Sequence, residues 1–254
     1  MKKITLHKQN IHKGELILVN KDHPIRDDQS YGEALVSVNL LSSDILLDYV
    51  AAKEFVKIIS TLKCGNEIVP VSGYRSKESQ DHVYENSVIQ NGKNYTDTYI
   101  PMEEQNEHST GLAIDLSENY AYIDALRPTF PKKGICSRFR KIAPLFGFIE
   151  RYPKNKVSVT GVNHEPWHYR YVGYPHSRIM EEMDLTMEEY ITCLNSHTQN
   201  HALKYKDDKY FYQIFSVPVN EDTKEIQIPD NTTFKLSGNN VDGVIMTMKK
   251  EFAW

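Results

Sequence analysis

Between Ser43 and Leu62 apolar residues recur at steps of three and four, at Ile45, Tyr49, Ala52, Val56 and Ile59. That spacing is one face of an α-helix, with Ser43 and Asp44 as start signals and Gly65 as a stop. Ile68-Val69-Pro70-Val71-Ser72 is a β-branched run whose proline suits a strand end or a sheet edge, and it leads into Gly73-Tyr74-Arg75-Ser76. Ser76 is placed to cap a second helix that runs to about Gln90 and is closed by Asn91-Gly92. The stretch from Lys93 to Asn106 is polar and shows no period. Leu112-Ala113-Ile114-Asp115-Leu116 then has the character of a buried strand that starts directly after Gly111, which puts His108 and Asp115 in one loop-strand unit.

Pro128, Pro131 and Gly134 punctuate a long connection from Ser117 to Ser137, predicted as a loop that gates a cleft, ahead of a helix near Arg138 to Phe146. Phe148 to Tyr152 and Trp167 to Val172 alternate as strands do, and helical patterns return around Ser177 to Met183 and Thr186 to Asn195. Beyond His201 the runs become aromatic and β-branched, at Tyr210 to Phe215, Glu225 to Ile228 and Val244 to Met248, with turns at Asn239-Asn240 and Asp242-Gly243. The pattern predicts an α+β fold in which helices flank a mostly antiparallel central sheet. A catalytic domain over 1–197 is expected, followed by a small β-rich extension over 198–254.

With 254 residues, 40% of them hydrophobic and 25% charged, the chain can bury one good-sized core and an appended small domain. A net charge of -4 gives no broad attraction for phosphate polymers, so neither nucleic acid nor an anionic membrane surface is expected as a partner. The last 60 residues keep that balance, with seven lysines, no arginine and eight acidic residues. The basic start Met1-Lys2-Lys3 is not followed by an apolar run, and no stretch approaches the roughly 20 apolar residues of a membrane span. A cytoplasmic protein is expected, either a monomer or a homodimer. Cys64, Cys136 and Cys193 form no Cys-x-x-Cys pair and are read as free thiols, Cys136 as one in a loop.

Two short segments carry the chemistry. Glu107-His108-Ser109-Thr110-Gly111-Leu112-Ala113-Ile114-Asp115 and Glu165-Pro166-Trp167-His168 together supply two imidazoles, a carboxylate ligand and a spare carboxylate. A catalytic zinc takes three nitrogen and oxygen ligands and keeps a position open. His108, Asp115 and His168 fill that shell, with one zinc per chain, and Glu165 is left to accept a proton. Pro166 pushes Glu165 toward extended backbone, so the second segment is not two ligands on a helical face. Amide hydrolysis also needs a positive group facing the oxygen that becomes negative, and Arg75, isolated in a tight turn before a helix, meets that need. In isolation each element has an ordinary reading, Trp167 as core filling and Arg75 as a surface ion pair. Their concurrence is what points to a site.

These residues resemble the zinc D,D-peptidases of the VanX, VanY and VanXY group, which cleave D-alanyl-D-alanine ends. The family's Ser-x-His-x-x-Gly-x-Ala-x-Asp motif stands here as Asn106 to Asp115 with asparagine in the serine position, and Glu-x-Trp-His is intact at Glu165 to His168. Ser72 to Ser76 with Gln80 is similar to the family's substrate-side segment. The resemblance implies zinc on His108, Asp115 and His168, Glu165 as general base, Arg75 as oxyanion stabiliser and Gln80 on the substrate's terminal carboxylate. It further implies that Asn106 or Ser109 replaces the family serine in binding substrate. The bifunctional VanXY type is the nearest match, and its substrates are D-Ala-D-Ala dipeptide and peptidoglycan precursor peptides. Two other readings share the constellation: a phage-type endolysin cutting an L-alanyl-D-glutamate bond, and a degenerate homologue that keeps zinc for structure. The second has no use for Glu165 and Arg75 together.

Overall fold

The structure, a computed structural model, describes residues 1–26, 34–39, 42–99 and 103–251. The chain opens with β1 (Lys2–His7), whose partner lies near its other end. β2 (Leu35–Asn39) and β3 (Ser42–Asp48) then pair antiparallel and deliver the chain into α1 (Tyr49–Leu62). The helix predicted from Ser43 therefore begins only at Tyr49, where the Asp48 side chain accepts a 2.9 Å hydrogen bond from the Val50 amide and caps it. Its buried face is Ala51, Ala52, Phe55, Ile58 and Leu62, whereas Tyr49 and Val56, expected inside, are exposed. Ile45 belongs to a strand with a period of two, and counting it into the helix rotates the apparent face.

β4 (Ile68–Ser72) is followed by α2 (Lys77–Asn91) and α3 (Lys93–Tyr99). Ser76 caps α2 as its position implies, accepting from the Ser79 amide. α3 lies where the sequence shows no period, because its tie to α2 is polar: Thr96 Oγ1 donates to Ser87 Oγ at 2.9 Å. β5 (Ala113–Glu118), α4 (Gly134–Ile142), β6 (Phe148–Tyr152), α5 (Val157–Thr160), β7 (Glu165–Tyr171) and α6 (His176–Glu182) complete this part of the chain. Its sheet is antiparallel in the order β4-β5-β7-β6, with the proline-bearing β4 at an edge. α1 and α4 pack on it through Phe55, Phe139, Phe148 and Tyr169, with Phe139 and Tyr169 rings 4.9 Å apart edge to face. Cys136 sits in α4 rather than in a loop, and burial pushes its thiol up to about 11, which makes it inert.

α7 (Met187–Asn195), β8 (Leu203–Lys206), β9 (Tyr210–Pro218), β10 (Thr223–Ile228), β11 (Thr233–Gly238) and β12 (Gly243–Glu251) come next. They form a second sheet in the order β11-β12-β9-β8, and β10 pairs with β1. Leu6, Phe215, Ile228, Val244 and Met246 centre its own core. The chain thus divides into one unit of Val19–Thr186 and another of Met1–Leu18 with Met187–Trp254. The expected break at 197 falls inside the second unit, and the expected C-terminal extension includes the N-terminal strand. A lone edge strand carries no sign of which distant strand it will join. Among the described residues no helix is long and apolar enough to cross a membrane.

Candidate metal centre

Asp115 and His168 sit opposite one another on the paired strands β5 and β7, and His168 Nδ1 lies 2.9 Å from Asp115 Oδ1. His108 approaches from the short 3-10 turn Glu107–Thr110 just before β5. Asn106 caps that turn by accepting from the His108 amide at 3.1 Å, and Gly111 closes it at φ 72°. A Cβ on Gly111 would also meet Leu35 at 3.0 Å and the Asp48 nitrogen at 3.2 Å, so the motif's glycine is required twice over. The ring of His108 is oriented by its Nδ1, 2.7 Å from the carbonyl of Gly73. A carbonyl only accepts, so Nδ1 carries the proton and Nε2 turns to Asp115 Oδ2 at 3.2 Å.

His108 Nε2, an Asp115 oxygen and His168 Nδ1 therefore converge, and the three residues' ligand atoms all lie within 4.8 Å of one another. All three are buried. Two imidazoles and one carboxylate, two of them on paired strands and the third on the turn before β5, are a donor set for a borderline cation such as zinc, and three protein ligands leave a position open for chemistry. The residues present fit that ion.

Burial lowers His108, which is neutral and able to ligate at neutral pH. For Asp115 burial acts upward, but His108 and His168 hold its carboxyl well below the usual carboxylate range. Burial acts downward on His168, yet hydrogen bonds to Asp115 and Glu107 push it up to about 10.

Glu165, three residues before His168 on β7, has Oε2 4.0 Å from His168 Nδ1 and is not among the three converging groups. Burial raises its carboxyl to about 7, the nearby Asp115 and Glu107 adding to the effect. The raised value makes stability depend on pH. Below the unfolded value near 4.5 the group is neutral in both states, whereas above about 7 the folded chain must hold a buried charge that the unfolded chain leaves in water. Glu165→Gln is therefore expected to raise the melting temperature of metal-stripped protein by a few degrees at pH 8 and to leave it unchanged near pH 4, read by circular dichroism.

Arg75 lies just beyond β4, where its amide donates to the His108 carbonyl at 3.2 Å. Its guanidinium donates from Nη1 to Gln80 Oε1 and from Nη2 to Ser72 Oγ, both at 2.7 Å. Gln80 Oε1 also accepts from Asn106 Nδ2 at 2.7 Å. Asn106 thus spends its carbonyl on the His108 turn and its amide on Gln80. Ser109 Oγ is buried and has no hydrogen-bond partner among the described residues. The loop expected as a gate lies between β5 and α4, and Arg140 grips its end through the carbonyls of Phe130 at 2.7 Å and Pro131 at 2.6 Å. The same guanidinium holds the Pro166 carbonyl next to Glu165 at 2.9 Å.

Sequence reasoning missed Glu107. It is fully buried, with Oε1 2.8 Å from Arg151 Nε and 2.9 Å from Arg170 Nη1 and Oε2 3.3 Å from His168 Nε2. Arg151 on β6 and Arg170 on β7 are equally buried. The available signal was an arginine in each of two alternating strands, which asks for a buried acid as partner.

The α+β frame thus brings a candidate His-Asp-His metal site together with a separate carboxylate, an arrangement suited to metal-dependent hydrolysis. Residues 44–174 match the family model "VanY: D-alanyl-D-alanine carboxypeptidase", and the chain belongs to that family. It is similar over 98% of its length to the solved vancomycin-resistance D,D-dipeptidase VanXYg in complex with a D-Ala-D-Ala phosphinate analogue, at 42% identity, a TM-score of 0.94 and 99% of that chain. The bifunctional D-Ala-D-Ala dipeptidase and carboxypeptidase VanXYC of Enterococcus gallinarum is 34% identical over 69% of this chain and 92% of its own. A VanY D,D-pentapeptidase variant from a VanB-type resistance cassette, in complex with Zn(II), is 26% identical with a TM-score of 0.54 over 70% of this chain and 98% of that one.

Proposed function

We propose that this chain is a zinc-dependent D,D-peptidase that hydrolyses D-Ala-D-Ala dipeptide and removes the terminal D-alanine of peptidoglycan precursors in the cytoplasm. The observation that carries the reading is the convergence of His108, Asp115 and His168 with the Glu165 carboxylate 4.0 Å from His168 Nδ1, in a fold shared over 98% of the chain with a D,D-dipeptidase. Removing such termini deprives vancomycin of its target.

His108 Nε2, Asp115 and His168 Nδ1 would hold one zinc per chain, which when bound supplies Lewis-acid polarisation of water and of the scissile carbonyl. Glu165 accepts the proton of the attacking water and returns it to the leaving amine, a task suited to a carboxyl whose pKa is pushed up to about 7. Arg75 faces the oxygen that becomes negative and donates charge-assisted hydrogen bonds to it. Gln80 and Ser72 hold the guanidinium in place, and Asn106 holds Gln80. The amide nitrogen of Gln80 is the donor suited to a substrate's terminal carboxylate. Ser109 supplies the hydroxyl contact, since Asn106 is committed on both sides.

The test is alanine release from D-Ala-D-Ala and from a pentapeptide precursor, with an L-alanyl-D-glutamate substrate as the contrast. Release from the first two supports the assignment, and cleavage confined to the third overturns it. Arg75→Ala is expected to lower kcat by about 10²-fold with a smaller change in KM. A rise in KM alone would make Arg75 a carboxylate anchor instead.

A further inference from the structure

We infer that Glu107 is a positioning residue that fixes which nitrogen His168 presents, holding Nε2 so that Nδ1 faces the metal. The inference rests on the zinc reading of the site and concerns a carboxylate that no step of the proposed chemistry uses.

An imidazole on a β-strand can turn about its last side-chain bond and offer either nitrogen. His168 has an acceptor on each side: Asp115 Oδ1 at 2.9 Å from Nδ1 and Glu107 Oε2 at 3.3 Å from Nε2. Asp115 is itself a ligand candidate whose other oxygen meets His108 Nε2 at 3.2 Å, so it belongs to the ion. Glu107 does not. Its Oε1 is pinned by Arg151 Nε at 2.8 Å and Arg170 Nη1 at 2.9 Å, and all three side chains are fully buried. Two cations from neighbouring strands thus set the position of one oxygen, and the carboxylate plane carries the other to the imidazole. A hydrogen bond to a carboxylate on the far nitrogen fixes the tautomer of a ligating histidine and raises its basicity, at a typical value of about 10- to 100-fold in metal affinity.

The same cluster has a purely structural reading, because a buried acid between two arginines also supports the sheet. Two variants separate the roles. Glu107→Gln weakens the acceptor on His168, whereas Arg151→Met disturbs the same buried cluster and leaves Glu107 paired to Arg170 and bonded to His168. Zinc affinity is measured on folded protein by competition with a chromophoric chelator, and the His168 ring nitrogens are followed by nitrogen-15 NMR in the zinc-loaded form. We expect Glu107→Gln to bind zinc about 10- to 100-fold more weakly, with mixed ring states at His168, and Arg151→Met, which removes one of the two pins and keeps the acceptor, to weaken binding clearly less. Unchanged affinity and ring state in Glu107→Gln, or equal weakening in both variants, overturns the inference. If Glu107→Gln does not fold, Glu107→Asp takes its place under the same criteria. Wild-type protein that binds no zinc overturns the metal reading itself, a result distinct from wild-type binding that Glu107 variants leave unaltered.

Discussion

Glu165→Gln is expected to lower kcat for D-Ala-D-Ala by about 10³-fold or more while the protein keeps its zinc. The expectation comes from where the carboxylate stands. It shares β7 with His168 and lies 4.0 Å from Nδ1, near enough to reach a water at the ion, yet it is outside the three ligand groups. A carboxyl pushed up to about 7 is nearly matched to water activation at neutral pH, and glutamine fills the same space with no proton-accepting oxygen of that basicity. Unfolding is not the expected cause of the loss, because the substitution removes a partly buried charge and is expected to stabilise the metal-free fold at high pH. Turnover is read as alanine release and zinc content by emission spectroscopy on the same samples. Wild-type turnover with the ion in place would falsify Glu165 as the base.

His168→Ala is expected to reduce bound zinc from about one per chain to near zero and turnover to background, with the fold retained. Removing one of three ligands leaves His108 and Asp115 alone, too few for tight binding. The fold survives because Glu107 remains paired to both Arg151 and Arg170 when the imidazole is gone. Asp115→Ala is the harsher change, since both imidazoles lose the carboxylate that faces them. Chelator-stripped wild type should match His168→Ala in activity and recover on zinc addition, which the variant should not. Full zinc occupancy in His168→Ala would show that the ion is held elsewhere.

Much of the centre is legible because its chemistry is carried by short segments. The turn from Asn106 to Gly111 is decided locally: a capping asparagine, a left-handed glycine and the histidine between them. Pro166 marks Glu165 as extended, and Pro70 marks an edge strand, both in agreement with the fold. Where pattern and structure part, the cause is physical. Residues 43–48 look helical when counted together with 49–62, but pairing with Leu35–Asn39 makes them a strand. α3 shows no apolar period in the sequence, and among the described side chains the Thr96 hydroxyl ties it to Ser87 of α2. Asn106 has the chemistry of a substrate contact, while its neighbours use both ends of its amide.

By itself the sequence singled out His108, Asp115 and His168 as a candidate donor set, Glu165 beside them, Arg75 in its turn and most of the strands and helices, since each depends on residue type and near neighbours. The tertiary structure alone decided that Asp115 and His168 face one another, because register between β5 and β7 is a long-range match that no local spacing encodes. It alone joined β1 to β10. It alone brought Glu107 between Arg151 and Arg170, for a buried acid becomes tolerable only where the fold delivers cations to it.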